Sequence, residues 1–385
     1  MKKRLLAALM VCALVALPLA GCQNGDNTGS SGDQIVIGGL APLTGNVSVY
    51  GIATNNGIQL AFEEINKAGG VLNKQIKYVY EDEKGDATEA TNAYRKLVNQ
   101  NKVVAIIGDV TSKPAAAVAQ ASVADNMPVL TATALNVTQA GKNVFRVCFT
   151  DPEQGEIMAN YTKKLGKKTA AIIYDTSDDY SKGLRDSFKA TAEKLGITVV
   201  ADEGYANSKV VDFKAQLTNI KAKNPEVLFV PTYYENAALI AVQAKEIGLN
   251  AQFIGADGWD SVIGKIDKTN MDAVNGAFYC SQYTAESTDQ RVQDFIKNYK
   301  ARFNMDPNQF SVLGYDAAYM MVEAIKNAGS TDKQAIIDAL AKLEYNGLTG
   351  QMHFDENRNP VKTAIIIKIE NGAYKFEETF AKESI

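Results

Sequence analysis

Ile35-Val36-Ile37-Gly38-Gly39-Leu40-Ala41-Pro42-Leu43-Thr44-Gly45 opens the folded body of the chain. Its three β-branched residues read as a short buried strand, and the Gly38-Gly39 pair behind them reads as a turn near a site. A helix is predicted over about 51–68, where Ile58, Ala61, Phe62 and Ile65 recur at helical spacing. Ile76-Lys77-Tyr78-Val79-Tyr80 is again strand-like. Strand, helix, strand is the repeating unit of a parallel sheet, because parallel neighbours need a crossover long enough to hold a helix.

The unit recurs. Strands are predicted at 103–107 and Pro128-Val129-Leu130, and helices at about 88–100 and 113–126. In the first of these helices Ala90, Ala93, Tyr94 and Leu97 share one face. The alternation restarts after residue 150, with strands at 170–174, 197–200, 227–230 and 253–254. Helices at about 153–166, 180–195, 211–223 and 236–247 lie between them. The expected class is α/β, two doubly wound parallel-sheet lobes. The last third differs: helices at about 290–303, 310–327 and 332–343 follow one another before strands at Gly350–Phe354 and Ala364–Ile369. Those helices are expected to return to the first lobe, which implies several hinge crossovers. The expected division is 34–147 plus 281–349 for one lobe and 148–280 plus 350–385 for the other.

Upstream, Lys2, Lys3 and Arg4 precede an apolar run from Leu5 to Leu19, which ends in Leu19-Ala20-Gly21-Cys22. Residues 1–21 read as a signal peptide. The run is shorter than the roughly 20 residues of a membrane span. The ending resembles a bacterial lipobox, which implies a lipid on Cys22 and an extracytoplasmic body anchored to the cell membrane. Residues 22–33 then hold the lipidated cysteine and a flexible tether, because 23–33 carry no apolar side chain.

Length and composition narrow the function. A chain of 385 residues suits two full cores. The formal net charge is −4, and loss of Lys2, Lys3 and Arg4 makes it more acidic. That argues against nucleic-acid partners, which need a basic face. The single histidine, His353, reads as a surface residue at a strand end, so no Ser/His/Asp set forms around it. No His/Cys cluster has metal-ligand spacing, and no phosphate-cradling GxxxxGK[ST] occurs. The expectation is a binding protein and not an enzyme, with no cofactor and no metal. Cys148 and Cys280 are left either to pair or to sit buried as free thiols.

Gly38-Gly39-Leu40-Ala41-Pro42-Leu43-Thr44-Gly45, Tyr50-Gly51 and Glu64-Ile65-Asn66-Lys67-Ala68-Gly69-Gly70-Val71 form a specific set of phrases. Ile107-Gly108, Phe145-Arg146-Val147, Asp179-Tyr180-Ser181-Lys182-Gly183, Ile254-Gly255-Ala256-Asp257-Gly258 and Gly314-Tyr315-Asp316-Ala317 continue it. In this order and spacing the chain resembles the branched-chain amino-acid-binding proteins of ABC importers, which have the type I periplasmic-binding fold. The resemblance implies two lobes that close over a free amino acid, Leu, Ile or Val by default, and deliver it to a membrane permease. A monomer is expected. Ser112, and Thr133 with the backbone of Thr131 and Ala132, match the family's ligand-carboxylate site. A helix start at Ser112 suits an anion, and the same hydroxyl suits a helix cap. Asp257 matches the acid that accepts the ligand ammonium, where many relatives carry Glu. Tyr50, Tyr180, Tyr233 and Tyr315 match positions around the ligand, and Trp259 lies close in sequence. Binding of another small solute, such as an amide or an aromatic acid, is the alternative that the same fold allows.

Overall fold

The structure is a computed structural model that describes residues 34–132 and 137–380. The expected signal peptide, the lipid on Cys22, the tether and Thr133 lie outside the described residues.

The first lobe starts as β1 (Ile35–Ala41), α1 (Ser48–Lys67), β2 (Ile76–Asp82), α2 (Ala87–Asn99), β3 (Ala105–Ile107), α3 (Ser112–Ser122), β4 (Val129–Thr131) and β5 (Val144–Arg146). Its five strands are parallel, in the order β2-β1-β3-β4-β5. Alternation along the strands divides the apolar side chains between the two faces. Ile35 and Ile37 join Ile58, Ala61 and Phe62 of α1, while Leu40 and Ile106 join Tyr94, Leu97 and Val118 of α2 and α3. The strand does not stop at Gly38-Gly39, as the sequence suggests, but runs on to Ala41. A Cβ at Gly39 would lie 1.9 Å from the Tyr78 hydroxyl, so the glycine makes room for a ring instead of a turn.

The second lobe follows as α4 (Asp151–Lys164), β6 (Thr169–Asp175), α5 (Asp179–Lys194), β7 (Thr198–Tyr205), α6 (Lys214–Ala222), β8 (Val227–Phe229), α7 (Tyr234–Glu246), β9 (Gln252–Gly255) and β10 (Phe278–Ser281). The chain then forms α8 (Gln290–Phe303), α9 (Gln309–Ala328) and α10 (Lys333–Leu340). After them come β11 (Glu344–Gly347), β12 (Gly350–Phe354), β13 (Pro360–Val361), β14 (Ala364–Glu370) and β15 (Ala373–Phe380). The seven-stranded sheet has the order β15-β14-β10-β9-β8-β6-β7, with β14 antiparallel to β10 and to β15.

The C-terminal helices do return to the first lobe. A Cβ at Gly314 would sit 2.3 Å from the Thr54 carbonyl oxygen and one at Gly57 would sit 2.0 Å from that of Ser311, so α9 and α1 touch backbone to backbone. β12 departs from expectation. It pairs with β11 and β13 in a separate sheet. That ribbon leans on the first lobe, where Phe354 packs edge-on to Phe145 and Arg358 donates to the carbonyls of Thr138 and Val144. The chain re-enters the seven-stranded sheet at Ala364, not at Gly350.

Candidate functional site

The strand ends of both lobes meet a cavity of about 370 Å³. Lys84, Thr111 and Lys113 line it from the first lobe, and Asp178, Tyr233 and Asn236 from the second. Open parallel sheets place ligands at such strand ends.

On the first lobe Ser112 is the first residue of α3 and is buried. Tyr233 directly precedes α7 on the other lobe and its side chain is hydrogen-bonded to Ser112, so this contact crosses the cleft. Thr111 precedes Ser112 and caps nothing with its side chain, and its buried Oγ1 has no partner among the described residues. Thr131 ends β4 and donates its hydroxyl to the Asp109 carbonyl, and Ala132 is buried beside it.

On the second lobe Asp178 caps α5 by accepting from the Ser181 N–H at 3.3 Å, which fixes Tyr180 in the first turn. The Tyr180 ring stacks on Tyr233 with centroids 4.8 Å apart and planes 7° from parallel. Its hydroxyl donates to Asp257 Oδ1 at 2.7 Å and accepts from the Gly258 N–H at 2.9 Å. Asp257 is 5 % exposed, and burial pushes its carboxyl above the ordinary range although Tyr180 and Gln154 hydrogen bonds pull the other way. Asp151, at the start of α4, is also buried and raised, first by burial and then by the charge of Asp257. Its Oδ1 has no partner among the described residues. Two buried carboxyl groups therefore face the Ser112 side of the cleft through the two stacked rings, with Arg146 offsetting part of the charge at Asp151.

Tyr50, on α1, is fully buried and reaches across as well. Its hydroxyl donates to the Gly258 carbonyl at 2.7 Å and accepts from the Tyr234 N–H at 3.0 Å. Its ring meets Phe310 at 4.3 Å and Tyr234 at 5.0 Å.

The structure thus brings Tyr50, Ser112, Tyr180, Tyr233 and Asp257 into one connected group, and ties Thr131, with Ala132 after it, to Asp109 in the loop that leads to Ser112. It does not bring Tyr315 there. That hydroxyl donates to Glu64 Oε2 at 2.5 Å, and the ring packs on Phe295 and Tyr319 in a separate surface hollow. Trp259 is core of the second lobe, with its indole N–H on the Val230 carbonyl at 2.8 Å. Cys148 and Cys280 are buried and form no disulfide. Sequence reasoning passed over Thr111, Asp151 and Gln154. It also passed over Gln309, whose amide donates to the Asp257 carbonyl at 2.9 Å. Asp151 and Gln154 had a readable signal, an acid at a helix start with Gln one turn on.

Two parallel-sheet lobes that close on a buried polar cleft define a solute-binding protein of the type I periplasmic-binding fold. The family description "Periplasmic binding protein" matches residues 34–373, and the chain belongs to that family. It is 32% identical over 347 residues to the Leu/Ile/Val-binding protein BraC3 of Rhizobium johnstonii, covering 88% of this chain and 89% of that one. The crystal structure of a leucine-binding protein from Thermotoga maritima is similar with a TM-score of 0.84 and 31% identity, over 91% of this chain and 100% of the other. The branched-chain amino-acid transporter substrate-binding protein of Streptococcus pneumoniae, in complex with isoleucine, gives 0.83 and 32% over 90% and 99%. Membership implies an extracytoplasmic location, and these relatives are solute-binding proteins.

Proposed function

We propose that the chain captures a free amino acid, with Leu, Ile or Val as the default, and hands it to the membrane permease of an ABC importer. The observation that carries this is the run Ser112, Tyr233, Tyr180, Asp257 across the cleft. Hydroxyls at a helix start suit the ligand carboxylate, and Thr131, Ala132 and Thr133 are assigned to share it. Asp257, with Asp151 behind it, suits the ammonium, which neutralises carboxyl groups that burial otherwise penalises. Tyr50, Tyr180 and Tyr233 wall the apolar side chain. Binding is hinge closure and forms no covalent bond, so the chain acts as no enzyme. The lobe division at 147/148 and 280/281, the lipid on Cys22 and a monomeric body belong to the same proposal. An aromatic acid suits the site less well, because it brings no cation for the two buried carboxyl groups.

Calorimetric titration with a panel of free amino acids tests this, after unfolding and refolding have stripped retained ligand. Binding of Leu, Ile or Val is expected. Asp257→Ala removes the ammonium's partner, which costs about 2–5 kcal/mol for a buried charge pair, at least thirtyfold in affinity. If no amino acid binds, the proposal is wrong and the solute belongs to another class.

A further inference from the structure

The loops that follow β2 and β3 flank the C-terminal end of β1, since β1 lies between those two strands. Each loop sends one carboxyl group inward there, Glu83 from one and Asp109 from the other, and both residues are 0% exposed. Glu83 Oε2 accepts from the N–H groups of Gly85 and Asp86 at 2.7 and 3.2 Å. Asp109 Oδ1 accepts from the Val110 N–H. Among the described residues Glu83 Oε1 and Asp109 Oδ2 have no donor, although the two carboxyl groups lie within hydrogen-bonding reach of each other. Two carboxylates in contact repel, and a buried acceptor without a donor is costly, so the contact needs a proton.

We propose that Glu83 and Asp109 share one buried proton and thereby position the hydroxyls of the first lobe, so that amino-acid capture is coupled to keeping that proton. The inference rests on the amino-acid reading above. Asp109 is joined to those hydroxyls from two directions. Its carbonyl accepts from Thr131, and three residues further on its own chain reaches Ser112. With the proton in place the pair carries one negative charge and ties the two loops together. Without it two charges push the loops apart and meet the incoming ligand carboxylate with doubled repulsion. Burial pushes both carboxyl groups up, and the neighbouring carboxylate adds to this at Glu83, so the pair keeps one proton between them.

Other charges nearby do not supply the missing partner. Asp82 is held by Leu43, Thr44 and Lys84, Lys84 leans to Glu89, and Asp86 caps α2. Lys113 of α3 reaches the Ser177 carbonyl. The β1–α1 segment 42–49 and the segment 131–137 carry no charged residue. Arg146 of β5 faces Asp151, Glu153 and Asp355.

The sign of the effect follows from linkage. Ligand carboxylate favours the protonated pair, so affinity falls as pH rises through the raised titration of the pair, by at most about tenfold per pH unit for one proton. Glu83→Gln keeps a donor toward Asp109 with nothing to lose, and Asp109→Asn is the companion variant. The test titrates isoleucine into the full chain and both variants from pH 6 to pH 10, in two buffers of different ionisation enthalpy. The ammonium of isoleucine titrates identically in all three series. The wild-type affinity is expected to fall several-fold more steeply on the alkaline side than that of either variant, with proton uptake on binding that the variants lack. Parallel profiles without differential proton uptake overturn the proposal. Melting of the ligand-free proteins is read alongside, because a raised folded value gives stability that is lost as pH rises through it. No heat from isoleucine in any protein, with melting profiles that still diverge, refutes the amino-acid reading and the coupling and leaves the shared proton standing.

Discussion

Tyr180 joins three things with one side chain: a carboxylate it donates to, a backbone N–H it accepts from, and a ring stack that leads to Ser112. Tyr180→Phe keeps the stack and removes both hydrogen bonds. Asp257 then loses a charge-assisted donor, worth about 1.5–3 kcal/mol, and the carboxylate is free to turn from the ammonium. Isoleucine affinity measured by calorimetry should drop roughly tenfold or more, with the melting temperature changed far less. Ser112, Tyr180, Tyr233 and Asp257 were legible because each sits where a strand ends or a helix begins, and such places are marked in sequence. Tyr315 was misread for the opposite reason. It lies seven residues into a helix, where spacing gives a face but not the wall that face meets. Glu83 and Asp109 gave no signal, since two acids in separate loops become a pair only when the strand order is known.

At the scale of elements the long helices were readable, and so were most but not all of the strands. The helix over Gln290–Phe303 matches its predicted bounds, and those of the helices at 51–68, 88–100 and 310–327 shift by only a few residues. β5, β10, β11, β13 and β15 were not predicted. β13 has only two residues, and β15 is largely exposed, paired to β14 across a bulge at Ile366/Ile367. What holds α9 to α1 was also hidden, because a glycine within a helix reads as a weakness until its neighbour is seen. Gly314→Ala tests that contact. The added methyl would meet the Thr54 carbonyl at 2.3 Å, and backbone cannot yield as a side-chain tip does. A loss of about 1–3 kcal/mol is expected, seen as a lower midpoint in denaturant unfolding, with little change in ligand affinity per folded molecule.

The whole molecule is a pair of lobes held shut by contacts that do not need the ligand. Tyr50 reaches the second lobe from α1, Lys113 reaches the Ser177 carbonyl, and the start of α9 meets Asp260 and Ser261 through Gln309 and Asn308. The Tyr50 hydroxyl differs from the others because both of its partners are backbone groups and all three sites are buried. In Tyr50→Phe the closed form leaves the Tyr234 N–H and the Gly258 carbonyl without partners, at about 1–3 kcal/mol each, whereas an opened cleft lets water reach them. The substitution therefore acts on the balance between open and closed forms more than on either lobe alone. Small-angle scattering should give a larger radius of gyration for the ligand-free variant than for the ligand-free wild type. Saturating isoleucine should return both to the same value, at a ligand concentration at least tenfold higher for the variant, because part of the binding energy is then spent on closure. Identical ligand-free radii would mean that the α9 contacts hold the cleft shut without Tyr50.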